Sequence, residues 1–506
     1  MMPAPIQKAL SLGDLLAGIV ALPHHLAEMD VRGLAMDSRG VRLGDLFLAC
    51  AGTSTHGARF LPQAFRAGAA AALLEANFPH LDVASFPGPV IPVPDLGKKA
   101  DLLAHRFFGQ PSRELTVIGI TGTNGKTSVS HFIAQALNES SGAGPSGLIG
   151  TLGHGSVGRL TPQHMTTPDP ITVHKLLAGL LQQGLRCVAM EVSSHALAQA
   201  RVDSVEFDTA VFTNLSRDHL DYHGDMQRYG EVKKQLFRRH GLQNAVINLD
   251  DPFSPQLIAA LPSEVSLIGY TLGRSDAKTG KTLYGQLLRA SARGIQVQVV
   301  FGAAQGVIQS PLLGRVNAQN LLAAMGTLLA IGVSFTQAVE TLSRVSAVPG
   351  RLEVFGTGTG LATVIVDYAH TPHALQEVLS ALRALCSGRL WCVFGCGGER
   401  DPGKRAEMGK IAARLADLIV LTDDNPRFED PDAIIGAILT GIADKTRVRV
   451  LRDRALAIRK AIAGASADDT VLIAGKGHET YQELAGKRHP FSDRELVSEL
   501  LTEARR

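Results

Sequence analysis

The chain has 506 residues, more than a single hydrophobic core holds, so its length predicts about two to four domains. Its composition is 45% hydrophobic and 19% charged with a formal net charge of +3, which excludes a disordered chain and gives no support for a nucleic-acid-binding surface. Five cysteines without paired metal-ligand spacing are typical of reduced core residues, and we expect a cytoplasmic protein.

The N-terminal segment and the most apolar later segment are both too short to span a membrane. Residues 15–22 are apolar but follow Asp14, which favours an amphipathic first helix over a signal peptide. Residues 321–333 come nearest to a membrane span, and Gly326 interrupts them. We therefore expect no membrane insertion.

Three regions differ in sequence texture. Residues 1–96 mix short apolar runs with turn-rich stretches, and four prolines within residues 87–94 mark the end of this region, since proline cannot continue a central strand. Residues 97–346 and 347–506 alternate apolar strands with helical patterns, which predicts an α/β fold with two largely parallel sheets. The predicted strands are 115–120, 187–192, 210–213, 245–249, 364–367, 390–394, 418–421, 448–451 and 471–474, and the clearest helices are 98–108, 372–385 and 404–415.

The strongest local motif follows the first strand of the second region. Residues 119–127 read GITGTNGKT between a predicted strand and a predicted helix, where glycines let backbone N–H groups approach phosphate oxygens. Lys126 would neutralise the β- and γ-phosphates of ATP, and the Thr127 hydroxyl would reach Mg²⁺. The standard phosphate loop needs glycine in place of Ile120, so a glycine-rich turn with a chance Gly-Lys-Thr is the alternative. The predicted ATP-binding residues of this loop are Gly122, Thr123, Asn124, Gly125, Lys126 and Thr127.

Further motifs follow in the order of a known family. They are MEVSSH at 190–195, TNLSRDHLDYHG at 213–224, GRVNAQN at 314–320, PGR at 349–351, VDYAHTP at 366–372, GCGGERD at 395–401 and AGKGHE at 474–479. Together with TGTNGKT they resemble the Mur ligase family, and DSR at 37–39 with GDLF at 44–47 resembles its uridine-binding domain. The resemblance implies three domains: a uridine-nucleotide-binding α/β domain (1–96), a central ATP-binding sheet with the phosphate loop (97–346) and a Rossmann-like, amino-acid-binding domain (347–506).

The resemblance also implies a reaction. ATP would phosphorylate the D-Glu side-chain carboxylate of UDP-N-acetylmuramoyl-L-Ala-D-Glu, and the amine of meso-diaminopimelate would attack the acyl phosphate, in peptidoglycan precursor synthesis. The implied partners are these three substrates, with a monomeric chain. The alternatives are an L-lysine-adding relative, a folylpolyglutamate synthase, which should lack the uridine domain, and a catalytically inactive ATP-binding regulatory protein.

Four residues form the implied catalytic set: Lys126, Glu191, His219 and Lys233. Glu191, at a strand end, would bind Mg²⁺, although a capping or salt-bridging glutamate is the plain alternative. His219 would serve a second Mg²⁺ rather than zinc, which needs more nitrogen or sulfur ligands. Lys233 follows Tyr229 by four residues and by resemblance is carbamylated to N6-carboxylysine, whereas from the residues alone it is one of two adjacent lysines. The implied metal-binding set is Thr127, Glu191, His219 and carbamylated Lys233.

The resemblance assigns further binding residues. ATP would also contact Asn317 and Asn320, three apart on one helix face, with Arg351 and Asp367 completing the site on domain closure. A helix-surface amide is the alternative for Asn320. The implied precursor-binding residues are Ser38, Thr166, Thr167, Ser193, Gln199 and Arg201, with a helix-capping turn as the alternative for Thr-Thr-Pro.

The acceptor site is predicted at the Asp424-Asn425-Pro426-Arg427 segment. This segment follows the strand 418–421, at the edge where doubly wound sheets bind ligands. Diaminopimelate differs from lysine by a distal carboxylate, which a bidentate Arg427 would hold. Losing that contact costs about 2–4 kcal/mol, although an Asn-Pro turn with an exposed arginine is the alternative. The other implied acceptor-binding residues are Arg400, Gly475 and Glu479.

Overall fold

The computed structural model describes residues 10–52, 55–76, 85–140, 144–273, 281–356 and 360–504. The chain divides into two compact units, each built from several segments. The first comprises Met1–Thr121, Ser141–Ala210 and Gln235–Gln243, and the second comprises Gly122–Ser140, Val211–Lys234 and Asn244–Arg506. The domain boundaries expected at residues 96 and 346 stay a prediction.

The first stretch of the chain forms a small parallel sheet. Its elements are β1 (Leu10–Ser11), α1 (Leu12–Leu16), α2 (His24–Ala27), β2 (Asp30–Val31), β3 (Gly33–Ala35), β4 (Asp45–Ala49), α3 (Leu61–Arg66), β5 (Ala71–Glu75), β6 (Val90–Val93), α4 (Leu96–Phe107) and β7 (Thr116–Thr121). Strands β3 to β6 pair in parallel in chain order. Successive side chains point to opposite faces, so Leu46 packs in the same cluster as Leu103 of α4, and Phe47 in that of Leu61 of α3.

Two expectations for local structure need correction. The first helix is not 15–22 but Leu12–Leu16, because the Ser11 side chain caps its start and Gly18, at φ 71°, follows its end. The region boundary expected at the prolines of 87–94 stays a prediction. This segment contains strand β6, and Pro92 is tolerated because β6 is the edge strand of its sheet.

The middle of the chain contributes strands to both units. Its elements are α5 (Lys126–Glu139), β8 (Ser146–Gly150), β9 (Gly153–Ser156), β10 (Arg159–Thr161), α6 (Pro170–Gln182), β11 (Cys187–Glu191), α7 (Ser194–Ala198), β12 (Thr209–Phe212), α8 (Leu220–His223), α9 (Met226–Phe237), β13 (Asn244–Asn248), α10 (Ser254–Ile258), β14 (Ser266–Thr271), β15 (Thr282–Ser291), β16 (Gly294–Phe301) and β17 (Ala304–Ser310). In the first unit β8, β11 and β7 are parallel neighbours, with β9 and β10 antiparallel beyond β8. In the second unit β13, β14 and β15 are parallel, and β16 and β17 continue as an antiparallel meander.

The last stretch of the chain forms the predicted second doubly wound sheet. Its elements are α11 (Gly314–Ala330), α12 (Phe335–Ser343), β18 (Glu353–Phe355), β19 (Thr363–Asp367), α13 (Pro372–Arg383), β20 (Leu390–Phe394), α14 (Gly403–Leu415), β21 (Leu418–Leu421), α15 (Pro431–Leu439), β22 (Val448–Val450), α16 (Arg454–Gly464), β23 (Thr470–Ala474), β24 (Tyr481–Leu484), β25 (Lys487–Pro490) and α17 (Asp493–Glu503). The six-stranded sheet has the order β18-β19-β23-β20-β21-β22, and all its strands except β18 run parallel. The α/β fold class is thereby confirmed.

Helix α11 corrects the second expectation, that Gly326 interrupts the apolar segment 321–333. It continues through Gly326, where a Cβ would lie 2.9 Å from Val246 Cγ1, so this glycine permits close packing rather than interrupting the helix. The helix is buried on most sides. Among the described residues, no helix is long and apolar enough to cross a membrane.

Candidate active site

Two glycines give the phosphate loop its shape. Gly122 and Gly125 have φ values of 146° and 89°, which residues with side chains rarely adopt. A Cβ at Gly122 would overlap the Thr213 hydroxyl, and one at Gly125 would lie 2.7 Å from Asn320 Oδ1. The loop leads directly into the 14-residue helix α5, whose first residue is Lys126. The expected strand, glycine loop and helix are therefore present.

Two cationic side chains lie at the start of α5. Lys126 Nζ donates to the carbonyl oxygens of Gly122 at 2.8 Å and Thr123 at 2.9 Å, so the amine folds over the loop. Arg351 Nη2 donates to the Thr127 hydroxyl at 3.2 Å. Positive charge thus gathers where a helix N-terminus already favours anions.

A segment after β12 clamps the phosphate loop. Asn214 Oδ1 accepts from the Asn124 N–H at 3.0 Å, and Asn214 Nδ2 donates to the Asn124 carbonyl at 3.0 Å. Thr213 Oγ1 donates to the same carbonyl at 2.6 Å, and the Thr123 N–H donates to the Asn214 carbonyl at 2.8 Å. Asn214 is not among the residues predicted from sequence, and its signal is its place directly after a buried strand.

Asp218 is a second site residue that sequence reasoning misses. It is buried, its Oδ1 accepts from the His219 N–H at 2.9 Å, and its Oδ2 lies 3.4 Å from His219 Nε2 and 3.6 Å from His370 Nε2. Burial alone would raise the pKa of Asp218, but the two imidazoles and Lys404 hold this pKa below its usual value. The carboxylate therefore orients His219, whose backbone φ of 54° is itself unusual.

Lys233 lies beneath the loop rather than in solvent. Its side chain is buried, its Nζ donates to the Gly122 carbonyl at 3.0 Å, and it sits 4.4 Å from the centre of the Tyr229 ring. Burial and, next, the charge of Lys126 hold the pKa of Lys233 well below its usual value, with Asp218 opposing. The environment favours a neutral amine. Lys234, by contrast, pairs with Glu231.

Two predicted asparagines contact each other on α11. Asn320 Nδ2 donates to Asn317 Oδ1 at 3.1 Å, and Asn317 Nδ2 donates to the Leu313 carbonyl at 2.9 Å. Both side chains are buried, so the reading of Asn320 as a helix-surface amide is wrong. Asn320 reaches the phosphate loop at Gly125.

Asp367 and Arg351 shape the end of β19. Both carboxylate oxygens of Asp367 accept backbone hydrogen bonds at 2.7 Å, from Leu352 and Ala369, and burial raises the pKa of this group. The Arg351 guanidinium lies 4.2 Å from the centre of the Tyr368 ring. Asp367 thus fixes the turn that carries Arg351, while Arg351 itself reaches Thr127.

The predicted acceptor residues gather at one sheet edge. The carboxyl ends of the parallel strands β19, β23, β20 and β21 are neighbours. Asp367 ends β19, while Gly475, Gly395 and the segment from Asp424 to Arg427 follow β23, β20 and β21. Arg427 Nη1 donates to the Gly398 carbonyl at 2.6 Å, and its side chain is one-fifth exposed. The reading of Arg427 as a simply exposed arginine is therefore wrong.

A buried lysine organises this edge. Lys476 Nζ donates to Asn425 Oδ1 at 3.0 Å and to Glu479 Oε2 at 2.8 Å, and Asn425 Nδ2 donates to Glu479 Oε2 at 2.8 Å. Lys476 is not among the predicted residues; its signal is its place between Gly475 and Glu479 in one motif. Arg400 is half-exposed, with Nη1 3.9 Å from Asp221 Oδ2.

Glu191 ends β11 in the first unit. Its Oε1 accepts from the Thr151 N–H at 2.8 Å, and its Oε2 accepts from the Thr151 hydroxyl at 2.9 Å. The Thr167 hydroxyl donates to the Glu191 backbone carbonyl at 2.7 Å, and the Thr151 and Thr166 hydroxyls lie 3.1 Å apart. The carboxylate is almost fully buried, so its oxygens are held in fixed positions.

The predicted precursor-binding residues of the first unit form one hydrogen-bonded group, with the exception of Ser38. Arg201 donates to Gln199 Oε1 at 3.0 Å through Nε and to the Thr167 carbonyl at 2.8 Å through Nη1, and the Ser193 N–H donates to the Thr167 hydroxyl at 3.0 Å. The helix cap here is Asp169, not Thr-Thr-Pro. Ser38 lies in the N-terminal sheet region, where its hydroxyl donates to Gln63 Oε1 at 3.1 Å.

The predicted metal-binding residues include oxygen donors, the Thr127 hydroxyl and the Glu191 carboxylate, of the kind that magnesium takes. Within the described ranges, no three histidine, cysteine, aspartate or glutamate side chains are grouped closely enough to form a metal cage. Mg²⁺ does not need such a cage, because it keeps several waters and takes few protein ligands alongside substrate phosphates. Zinc would need three or four nitrogen or sulfur ligands.

Comparison with known families places the chain in a class of ligases. It matches the Mur ligase family catalytic domain over residues 30–108, the Mur ligase middle domain over 120–328 and the Mur ligase glutamate ligase domain over 350–477. Its similarity to curated members covers nearly the whole chain, and it belongs to the Mur ligase family.

Two of the curated relatives that it resembles, and one solved structure, carry the name UDP-N-acetylmuramoyl-L-alanyl-D-glutamate--2,6-diaminopimelate ligase. That of Xanthomonas campestris pv. campestris strain 8004 is 49% identical over 497 residues, covering 98% of both chains. That of Chromobacterium violaceum is 47% identical, covering 94% of this chain and 95% of the relative. A solved structure of an enzyme with this name has a TM-score of 0.70 at 33% identity, covering 99% of this chain and 100% of the other.

Proposed function

We propose that the chain is an ATP-dependent ligase that joins meso-2,6-diaminopimelate to the D-Glu side-chain carboxylate of UDP-N-acetylmuramoyl-L-Ala-D-Glu. The observation that carries this proposal is the full-length similarity to relatives named for that ligase, 49% over 497 residues. The geometry of the phosphate loop and the position of Arg427 at the carboxyl ends of the parallel strands support it. Because both UDP-N-acetylmuramoyl-L-Ala-D-Glu and ATP are nucleotides, we place the reaction in the cytoplasm. The monomeric state stays a prediction.

Amide formation in water is uphill, so the carboxylate must first be activated. In the proposed reaction the γ-phosphoryl group of ATP is transferred to a carboxylate oxygen and ADP leaves. The amine then attacks the acyl carbon, phosphate leaves with the electrons of the C–O bond, and the nitrogen loses a proton. The amides of the phosphate loop, Lys126 and the N-terminus of α5 would hold the phosphates in line.

Mg²⁺, when bound, supplies charge neutralisation for the phosphate groups. Its proposed ligands are Thr127, His219 and a carbamylated Lys233 in the second unit, and Glu191 in the first. The chemistry of Lys233 supports the modification. Only a neutral amine attacks carbon dioxide, and burial keeps the pKa of this amine low. The neighbouring Lys234 instead forms an ion pair with Glu231.

The acceptor is proposed to bind at the edge formed by Asn425, Arg427, Gly475 and Glu479. Arg427 would hold the distal carboxylate that lysine lacks. The hydrogen bonds of Lys476 support an acceptor site at this edge, because they fix both Asn425 and Glu479 before a ligand binds. The precursor is proposed to bind through Ser38, Thr166, Thr167, Ser193, Gln199 and Arg201.

ADP release with UDP-N-acetylmuramoyl-L-Ala-D-Glu tests the proposal. We expect strong turnover with meso-diaminopimelate and little with L-lysine, each measured beside a reaction without amine. Arg427→Ala should lower the ratio of kcat/KM for diaminopimelate over lysine by about 30- to 1000-fold, since one charge-assisted contact is worth about 2–4 kcal/mol. Preference for lysine would leave a ligase with a different acceptor, and no turnover with either amine would refute the proposed reaction.

A further inference from the structure

Arg427 has an unusual backbone that a separate hairpin holds. Its φ is 56°, in the left-handed region that residues with a Cβ seldom occupy. Its N–H donates to the Glu483 carbonyl at 3.1 Å, and its carbonyl accepts from the Ala485 N–H at 2.8 Å. Such conformations persist only where neighbouring structure determines them. The β24–β25 hairpin therefore sets the direction in which the arginine leaves the chain.

The side chain of Arg427 also contacts the hairpin. Its Nε lies 3.8 Å from Glu483 Oε2, while Nη1 donates to the Gly398 carbonyl. Both the Arg427 and the Glu483 side chains are only 20% exposed, so their attraction is screened less than at an open surface. A guanidinium has five N–H donors, and these two contacts leave donors for a ligand carboxylate.

The tip of the hairpin packs on the residue after Arg427. Ala485 and Gly486 have φ values of 48° and 72°, the pattern of a tight two-residue hairpin turn. A Cβ at Gly486 would overlap the ring of Phe428, so this contact needs glycine. A larger residue there would displace the Phe428 ring and would also be strained by the positive φ.

The first strand of the hairpin, β24, is tied to the same acceptor segment. The Glu483 N–H donates to Asn425 Oδ1 at 2.9 Å, and Gln482 Nε2 donates to the Asp424 carbonyl at 2.9 Å. The hairpin thus contacts the acceptor segment at Asp424 and Asn425, at the Arg427 backbone and at Phe428.

We infer that the β24–β25 hairpin is a positioning element for Arg427, and that Glu483 and Gly486 thereby set the preference for an acceptor with a distal carboxylate. The inference rests on the proposed acceptor role of Arg427. Glu483 attracts the Nε side of the Arg427 guanidinium, which leaves the terminal nitrogens to face the proposed acceptor site. Gly486 leaves room for the Phe428 ring to pack against the hairpin turn.

Steady-state ADP release by the full chain tests this inference. Glu483→Gln and Gly486→Ala should each raise KM for diaminopimelate by about tenfold, with kcat within about twofold and KM for ATP unchanged. The ratio of kcat/KM for diaminopimelate over lysine should fall by the same factor. Glu483→Asp should recover part of the loss. Ala485→Gly is the matched control, because glycine accepts the same positive φ, and it should behave as the wild type.

The outcomes separate the two proposals. If the wild type turns over diaminopimelate but both variants keep its KM and its selectivity, the positioning role is overturned and the proposed function stands. An equal fall in kcat with both amines, or a raised KM for ATP, would show a merely structural hairpin and also overturn the inference. If the wild type shows no diaminopimelate-dependent ADP release, both fall together.

Discussion

Arg217 and Asp401 form an ion pair with two hydrogen bonds, from Nε at 2.8 Å and from Nη2 at 3.1 Å to the two carboxylate oxygens. Arg217 lies two residues before His219, and Asp401 directly follows Arg400. The pair therefore joins the segment proposed to bind magnesium to the segment proposed to bind the acceptor, although 184 residues separate them in sequence. Binding at the two segments should be coupled.

Asp401→Asn tests this coupling. Removing the carboxylate weakens the link between the two segments, so we expect KM for ATP and KM for the acceptor to rise together, each by about three- to tenfold. The effect is modest because Arg217 is nearly half-exposed. Arg217→Ala should have the same effect, and the double variant should be no worse than either single variant. Fully additive losses would contradict the coupling.

Lys233→Ala should reduce turnover by on the order of 100-fold or more, since it removes the proposed magnesium-binding carbamate. Short carboxylates such as acetate should restore part of the activity by occupying the space of the lost group. Lys234→Gln is the control, and it should keep near-normal turnover. Mass spectrometry of the native protein should find one added carbon dioxide on Lys233. Unmodified Lys233 in a fully active sample would refute this role.

Much of the second sheet was predictable because each inner strand is a continuous apolar run. Residues 390–394 and 418–421, for example, are strands over the predicted bounds. The β15–β17 meander was harder to predict, because β15 and β17 lack a continuous buried apolar run and exposed apolar residues such as Leu288 and Val307 break the alternation.

The candidate site likewise contains residues that the local sequence pattern predicts and residues that it does not. Gly122 and Lys126 were recognisable because their roles depend on local spacing. The contact between Asn124 and Asn214 joins residues 90 positions apart, and that between Arg427 and Glu483 joins two segments with no shared periodicity. Such contacts depend on which strand ends meet, which local sequence pattern does not encode.

Arg454 and Asp493 form a fully buried ion pair, with both hydrogen bonds at 2.8 Å. Asp493→Asn would leave the guanidinium charge without its counter-ion in the interior, so we expect a loss of about 3–5 kcal/mol in the free energy of unfolding. Urea denaturation measures this loss. Asp432→Asn, at the exposed pair with Arg452, should leave the midpoint nearly unchanged. Equal urea denaturation midpoints for the two variants would contradict the expectation that the buried ion pair stabilises the fold more than the exposed one.

Asp469 should make stability depend on pH in the acid range. Its carboxylate accepts from the N–H groups of Ser466 and Arg389 and from the Arg389 guanidinium. Burial alone would raise the pKa of Asp469, but these hydrogen bonds lower it to about 2. Because the unfolded pKa is about 4, the ionised group stabilises the fold above that pH, and this stabilisation is lost as the pH falls from about 4 to about 2.

Asp469→Asn isolates this contribution, because the amide resembles the protonated acid. Urea denaturation at pH 7 should find the wild type more stable by about 1–2 kcal/mol. As the pH falls below about 4, the difference should shrink, since the wild type gains the proton that the variant's amide imitates. A difference that stays constant from neutral to acid pH would mean that shape, not ionisation, accounts for the effect of the substitution.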